Sequence, residues 1–230
     1  MTSDKYWEMF HLIRGDIESA IASHTAYFKI HGLGADRNVL QKYNRSPKFW
    51  QLNVHALQTT FFISLGRVFD KRKDAWSIYD LLENTVEHVG WFSKAALRER
   101  KRADVSRGGK DPDWLDGYIA NAWEPSRKDL EALRYAIVPY AETFNRYFQP
   151  IRHSHFAHSG KVSAEDVSEL FGKTKIGDAT DITRFLYTLI FEVWEIYLNG
   201  RKPDLTNYRE YDVYVKNLND QIEKLVLGLP

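Results

Sequence analysis

Cysteine is missing from this chain of 230 residues. The chain therefore has no disulfide, no thiolate ligand for zinc and no cysteine nucleophile, which is typical of a reducing compartment. The first residues (MTSDKYWEMFHLIRGD) lack the basic start and apolar run of a signal peptide. No window reaches the roughly 20 apolar residues of a membrane span. We therefore expect a soluble, cytoplasmic protein that does not insert into a membrane.

An excess of one charge is missing as well, because 32 Lys and Arg residues balance 31 Asp and Glu residues to a net charge of +1. This balance excludes a globally basic nucleic-acid-binding protein, but it is compatible with a local basic patch. Hydrophobic residues make up 43% of the chain, which is enough for a packed core. The length fits one domain, which we predict to span residues 1–230.

Long alternation of apolar and polar residues, the pattern of a β-strand, is also missing, whereas helical spacing of three and four recurs along the chain. One apolar stripe runs through Leu130, Leu133, Ile137, Tyr140, Phe144, Tyr147 and Ile151. Because this stripe keeps its phase across Pro139, we predict one long kinked helix. The predicted fold class is an all-α helical bundle.

Residues 150–160, PIRHSHFAHSG, bring together one arginine and three of the eight histidines. On α-helical spacing, His155 lies four residues after Ile151 and His158 lies three residues further. Both histidines are therefore predicted to continue the inward-facing stripe, with Arg152 beside it and His153 pointing elsewhere. Polar groups at the end of a buried stripe need partners or a solvated cleft.

Three interpretations suit this group of residues. The first is phosphodiester cleavage without a metal: the arginine holds the phosphate, and a histidine with an unperturbed pKa of about 6.5 exchanges the proton of a ribose 2′-hydroxyl. In the second, the histidines bind a metal, although His153 and His155 diverge on a helix and the motif has no acidic residue. In the third, the histidines are structural and Arg152 forms an ordinary salt bridge.

The segment RHSHFAH resembles the R-x4–6-H signature of the HEPN superfamily (higher eukaryotes and prokaryotes nucleotide-binding domain). In that signature Asn, Asp or His follows the arginine; here His153 follows Arg152, and four further residues precede His158. The upstream segment 64–82, SLGRVFDKRKDAWSIYDLL, is similar to a helix that the abortive-infection, AbiU-like branch pairs with the motif. His155 is an additional histidine that the signature does not contain.

This resemblance implies a HEPN-like helical bundle with the motif on its long kinked helix. It implies a metal-independent endoribonuclease of a toxin or antiphage defence system, which forms 2′,3′-cyclic phosphates in a cleft between two protomers. Arg152 would bind the scissile phosphate, His158 would be the general acid/base, and His153 would orient or assist. No cofactor or metal is implied, and the partners would be RNA, a second copy of the chain and an antitoxin or another defence protein.

Two other functions remain open at this point. The first is a non-catalytic helical module that dimerises and binds a nucleotide or a protein. The second is a metal-dependent hydrolase, which would need a carboxylate from another helix.

Other residues allow both a structural and a functional interpretation. Arg67 and Asp70 are predicted either to form an intrahelical ion pair or to orient the motif helix. Trp114, in the loop-like segment DPDWLDG, is the best candidate for stacking on a base. A basic segment is either an RNA-binding patch or a solvated helix face; it contains Lys94, Arg98, Arg100, Lys101, Arg102, Arg107 and Lys110.

Overall fold

The structure, a computed structural model, describes residues 1–105, 111–157 and 163–228. Every regular element in these ranges is helical, so the all-α prediction is confirmed. The α-helices are α1 (Ser3–Leu33), α2 (Arg37–Asn44), α3 (Pro47–Val68), α4 (Ile78–Glu87), α5 (Lys94–Val105), α6 (Leu115–Asn121), α7 (Arg127–Ala136), α8 (Val138–Thr143), α9 (Gln149–Ile151), α10 (Ala164–Gly172), α11 (Ile176–Asn199) and α12 (Arg209–Leu227). A 3₁₀ helix covers Val89–Phe92, and two π-helical segments cover Phe144–Phe148 and Arg152–Ala157.

The core forms around α1, which packs along α3 and also contacts α4, α11 and α12. Tyr6 and Phe10 of α1 are completely buried, as is Leu65 of α3. The one polar atom of the Tyr6 side chain is satisfied, because its hydroxyl lies 2.8 Å from the hydroxyl of Thr85. The motif segment Arg152–Ala157 packs on α3, which α1 in turn holds in the core.

The predicted long kinked helix is present as a nearly continuous helical segment from α7 to the second π-helical segment. It is interrupted at Ile137, the residue between α7 and α8. Pro139 explains the position of the kink, since it has no N–H to donate to the carbonyl four residues earlier and its ring crowds that carbonyl. The motif therefore lies at the far end of a helical segment that is interrupted once and whose helical repeat changes three times.

No helix in the described ranges is both long enough and apolar enough to cross a membrane.

Candidate functional site

Arg152 lies directly against the backbone of α3 at Gly66. A Cβ atom built on Gly66 would lie 2.9 Å from the Cζ of Arg152 and closer still to its Nε. Real Cβ atoms essentially never approach other heavy atoms that closely, so only glycine at this position allows the guanidinium to lie where it does. Gly66 was not identified from the sequence as a site residue, although it belongs to the segment SLGRVFDKRK that carries the HEPN resemblance.

The Arg152 side chain is half-buried and its Nε has no hydrogen-bond partner among the described residues. Its Nη1 lies 3.4 Å from Nε2 of His153, with donor and acceptor roles that depend on the histidine tautomer. A guanidinium held by packing, with donors still available, is suited to bind an anion that enters from outside.

Arg67 and Asp70 do not form the ion pair that was one prediction for them. Arg67 pairs instead with Asp16 of α1, at 3.4 Å. Asp70 lies beyond the end of α3, where its carboxylate accepts hydrogen bonds from the Arg72 backbone N–H at 3.0 Å and from the Arg72 side chain at 3.1 Å. The helix ends at Val68, so α-helical spacing does not apply to Asp70.

The Asp70 carboxylate is nevertheless electrostatically linked to Arg152. Burial raises the pKa of Asp70. The hydrogen bonds and charge of Arg72, together with the charge of Arg152, lower the pKa by more than burial raises it, so it lies below its ordinary value. Asp70 therefore stays ionised and favours the position of the Arg152 guanidinium. That Asp70 orients the motif helix, the other prediction for this residue, stays a prediction.

Arg152 and His153 share a cleft with a volume of about 490 Å³ between the end of α3 and the motif helix. The stacked rings of Phe69 and Phe144, with centroids 4.7 Å apart, form its apolar wall. The described lining residues include three cations and one carboxylate. The lining consists of Gly66, Phe69, Asp70, Lys71, Arg72, Phe144, Asn145, Gln149, Arg152 and His153. A positively charged cleft with two amide side chains is suited to hold a phosphodiester.

Sequence reasoning missed Lys71 and Arg72 as candidate phosphate ligands. The run DKRKD, residues 70–74, was the available signal, because it places three cations immediately after α3. Periodicity alone could not show that the chain turns there towards Arg152.

The prediction that His155 continues the inward-facing stripe is wrong. His155 is exposed, and the half-buried residue that follows the stripe is Phe156, whose ring stacks on Phe62 of α3 at a centroid distance of 4.8 Å. The reason is the π-helical segment Arg152–Ala157, in which i→i+5 hydrogen bonds displace the register by one residue from the α-helical pattern. Phe156, five residues after Ile151, therefore takes the inward position.

His153 and His155 lie in different surroundings. His153 is exposed and lines the cleft with Arg152. The ring of His155 lies outside that lining, against Phe156 at 4.6 Å and Phe171 at 6.1 Å between centroids. His158 lies outside the described residues.

A family model named HEPN_AbiU2 and described as AbiU2 matches residues 3–218. This chain belongs to the AbiU2 family. The match covers both the motif and the upstream segment, so the expected HEPN resemblance and its AbiU-like branch are confirmed. No curated protein and no solved structure matches the chain.

In this AbiU2-family protein, two cations of the basic segment hold helices together. Arg100 donates to the backbone carbonyls of Trp91 and Tyr197, both at 2.7 Å, and its Cζ lies 3.6 Å from the centroid of the Tyr197 ring. Lys101 donates to the side-chain oxygen of Asn199 at 3.2 Å. Arg100 is thus a packing residue that ties α5 to α11.

Two other cations of the segment are paired with carboxylates. Arg102 makes a bidentate pair with Asp111, with both N···O distances at 2.5 Å. Arg98 pairs with Asp116 at 2.6 Å. None of the described basic residues of α5 lines the Arg152 cleft. Arg107 and Lys110, also predicted as RNA-binding residues, lie outside the described residues.

The described part of this AbiU2-family chain contains no group of three or more metal-ligating side chains that are close enough together to hold an ion.

Proposed function

We propose that this AbiU2-family protein is a metal-independent endoribonuclease of a toxin or antiphage defence system, with the Arg152 cleft as its active site. The observation that carries the proposal is the placement of Arg152 against Gly66, in a cleft that also contains His153, Lys71 and Arg72. Family membership supports the same conclusion, because the matched residues 3–218 include the segment RHSHFAH, whose resemblance to the R-x4–6-H signature begins at Arg152.

The proposed reaction is an internal transesterification of RNA. Arg152 holds two non-bridging oxygens of the scissile phosphate and offsets the charge that develops on them in the transition state. His158 removes the proton of the 2′-hydroxyl, whose oxygen attacks phosphorus and forms the 2′,3′-cyclic phosphate. The bond from phosphorus to the 5′-oxygen breaks, and that oxygen takes a proton from a histidine in the motif of a second copy, while His153 assists by orienting the phosphate.

Lys71 and Arg72 have a supporting role in this scheme. Both follow α3 directly and line the same cleft as Arg152, and the Arg72 side chain is 69% exposed. They would bind the phosphates on either side of the scissile one, which positions the RNA without reading its sequence.

The proposed second copy would pack on an exposed apolar stripe of α3. One apolar face of this helix is buried in the core through Phe61 and Val68, whereas Phe49 and Leu52 are 57% and 66% exposed. Large exposed apolar residues in a row are typical of an interaction surface. His55 lies one turn further along α3, and the centroid of its ring is 6.4 Å from that of His155, so the stripe extends to the motif segment.

Leu52→Glu is expected to convert the proposed dimer to a monomer, because a charge at the centre of an apolar seam would be buried without a partner. The matched control is Leu225→Glu on α12, where the leucine is 68% exposed and lies outside the stripe. Sedimentation equilibrium should give the mass of two chains for the wild type and the control, and of one chain for Leu52→Glu. A monomeric wild type, or a dimeric Leu52→Glu variant, would contradict the proposed seam.

The nuclease proposal is tested with purified protein and 5′-labelled RNA in the presence of EDTA. We expect fragments that end in a 2′,3′-cyclic phosphate, identified by mass spectrometry, from the wild type and none from Arg152→Ala. Growth arrest and RNA fragmentation on expression in bacteria should follow the same pattern. Intact RNA both in vitro and in cells would reject the nuclease and favour a non-catalytic binding module.

A further inference from the structure

A second groove lies on another part of the molecule, between α6 and the segment that follows α11. It has an open volume of about 970 Å³. Its side chains include three aromatic rings and two cations, and the described lining residues contain no carboxylate. The residues that matter here are Trp114, Tyr118, Trp123, Asn199, Arg201 and Lys202. None of them lines the Arg152 cleft.

The floor of this groove is held in one conformation. Gly200 ends α11 with a φ of 58°, which favours glycine, and a Cβ there would lie 2.7 Å from the Cδ2 of Leu97 and 2.8 Å from the Cβ of Ala122. The Trp123 backbone N–H donates to the Gly200 carbonyl at 2.6 Å. A rigid floor means that a ligand would not have to order the groove when it binds.

One wall presents an aromatic face to the outside. Trp114 is 47% exposed, and its ring meets Tyr118 edge to face at a centroid distance of 5.8 Å. The hydroxyl of Tyr118 donates to the Asn199 carbonyl at 3.1 Å, which fixes that ring. Because the two rings are nearly perpendicular and almost half of the Trp114 side chain is exposed, indole surface remains available for stacking.

The opposite wall carries the positive charge. Arg201 pairs with Glu195 at 3.0 Å, but its side chain is 70% exposed, so it keeps donors directed to solvent. Lys202 follows directly in the chain and is exposed. Lys101 adds a third cation behind the aromatic wall, with its Nζ 5.5 Å from the centroid of the Tyr118 ring.

We propose that this groove binds single-stranded RNA, with a base stacked on Trp114 and the adjacent phosphates on Lys202 and Arg201. An exposed aromatic face beside clustered cations is how proteins hold unpaired nucleotides, and a paired base cannot offer its face to a side chain. The role of the groove rests on the proposed nuclease function: it is a second contact that selects unpaired RNA for the Arg152 cleft.

The test measures RNA binding in an Arg152→Ala background, in which the RNA stays intact. A fluorescein-labelled oligouridylate and a labelled double-stranded RNA of equal length are titrated with the protein, and Kd is read from fluorescence anisotropy. We expect tighter binding of the single strand. Trp114→Ala should weaken that binding by about tenfold, the usual effect of losing one stacked base. Lys202→Ala should lower the slope of log Kd against log salt concentration by roughly one, the value for one lost phosphate contact.

The control is Tyr135→Ala on α7, which removes an aromatic ring that is 62% exposed and lies outside both the groove and the cleft. Circular dichroism confirms that each variant is folded. Unchanged affinity in Trp114→Ala, equal affinity for single and double strands, or no RNA binding at all would each overturn the inference.

This experiment separates the inference from the nuclease proposal. Normal cleavage with unchanged binding in Trp114→Ala would leave the nuclease standing and reject the groove. Binding that depends on Trp114, in a wild-type protein that cleaves nothing, would keep the groove and reject the nuclease.

Discussion

Gly66→Ala is expected to remove RNA cleavage almost as completely as Arg152→Ala, while the helical fold is kept. The added Cβ would occupy the space of the Arg152 side chain, so the guanidinium has to move to another rotamer. A displacement of about 1 Å of a group that holds the reacting phosphate can cost about 10²-fold in rate. Initial cleavage rates and circular dichroism of the two variants test this expectation.

Gly15→Ala is the matched control for this substitution. Gly15 lies within α1 and is exposed, and apart from the backbone of its own helix a Cβ built there meets nothing within 4 Å. Replacing a helical glycine without a clash should stabilise the protein by about 0.5–1 kcal/mol and leave cleavage unchanged.

A double-mutant cycle separates the clash from a general effect of alanine at position 66. With Arg152 present, Gly66→Ala should lower the free energy of unfolding by about 1–3 kcal/mol, as overpacking does. With Arg152→Ala already in place the space is free, so the same substitution should raise that free energy slightly. Full activity of Gly66→Ala, or additive effects in the cycle, would show that the contact does not position Arg152.

The three histidines of the motif should differ sharply in their effect on cleavage. His158→Ala is expected to lower the rate by about 10³-fold, in the range of a lost general acid/base. His153→Ala should have a smaller effect, about tenfold, because His153 lines the cleft beside Arg152. His155→Ala should cleave at the wild-type rate, since the exposed His155 ring lies outside the cleft lining and next to the ring of Phe156.

Initial rates on one labelled RNA, measured for all three variants at equal concentration, test this order. The His155→Ala variant serves as the internal control, since it removes a histidine from the same segment. If His155→Ala were as inactive as His158→Ala, the role of general acid/base would have to be reassigned.

Local patterns predicted the helices well and their contacts poorly. The stripe from Leu130 to Ile151 and the position of Pro139 were sufficient to predict the kinked helix, because helical periodicity and the missing proline N–H are properties of neighbouring residues. The same periodicity was wrong for His155. It assumes an α-helical repeat, and the chain switches there to a π-helical one.

The all-α class and the AbiU2 family can be recognised without coordinates, because both depend on residue order and spacing along the chain. Three contacts become visible only when the helices are packed: Arg152 lies on Gly66, Arg72 holds Asp70, and Arg100 packs α5 against α11. These contacts join different helices or follow a helix end, where no periodic rule applies. Their partners are selected by distance in space, which spacing along the chain does not specify.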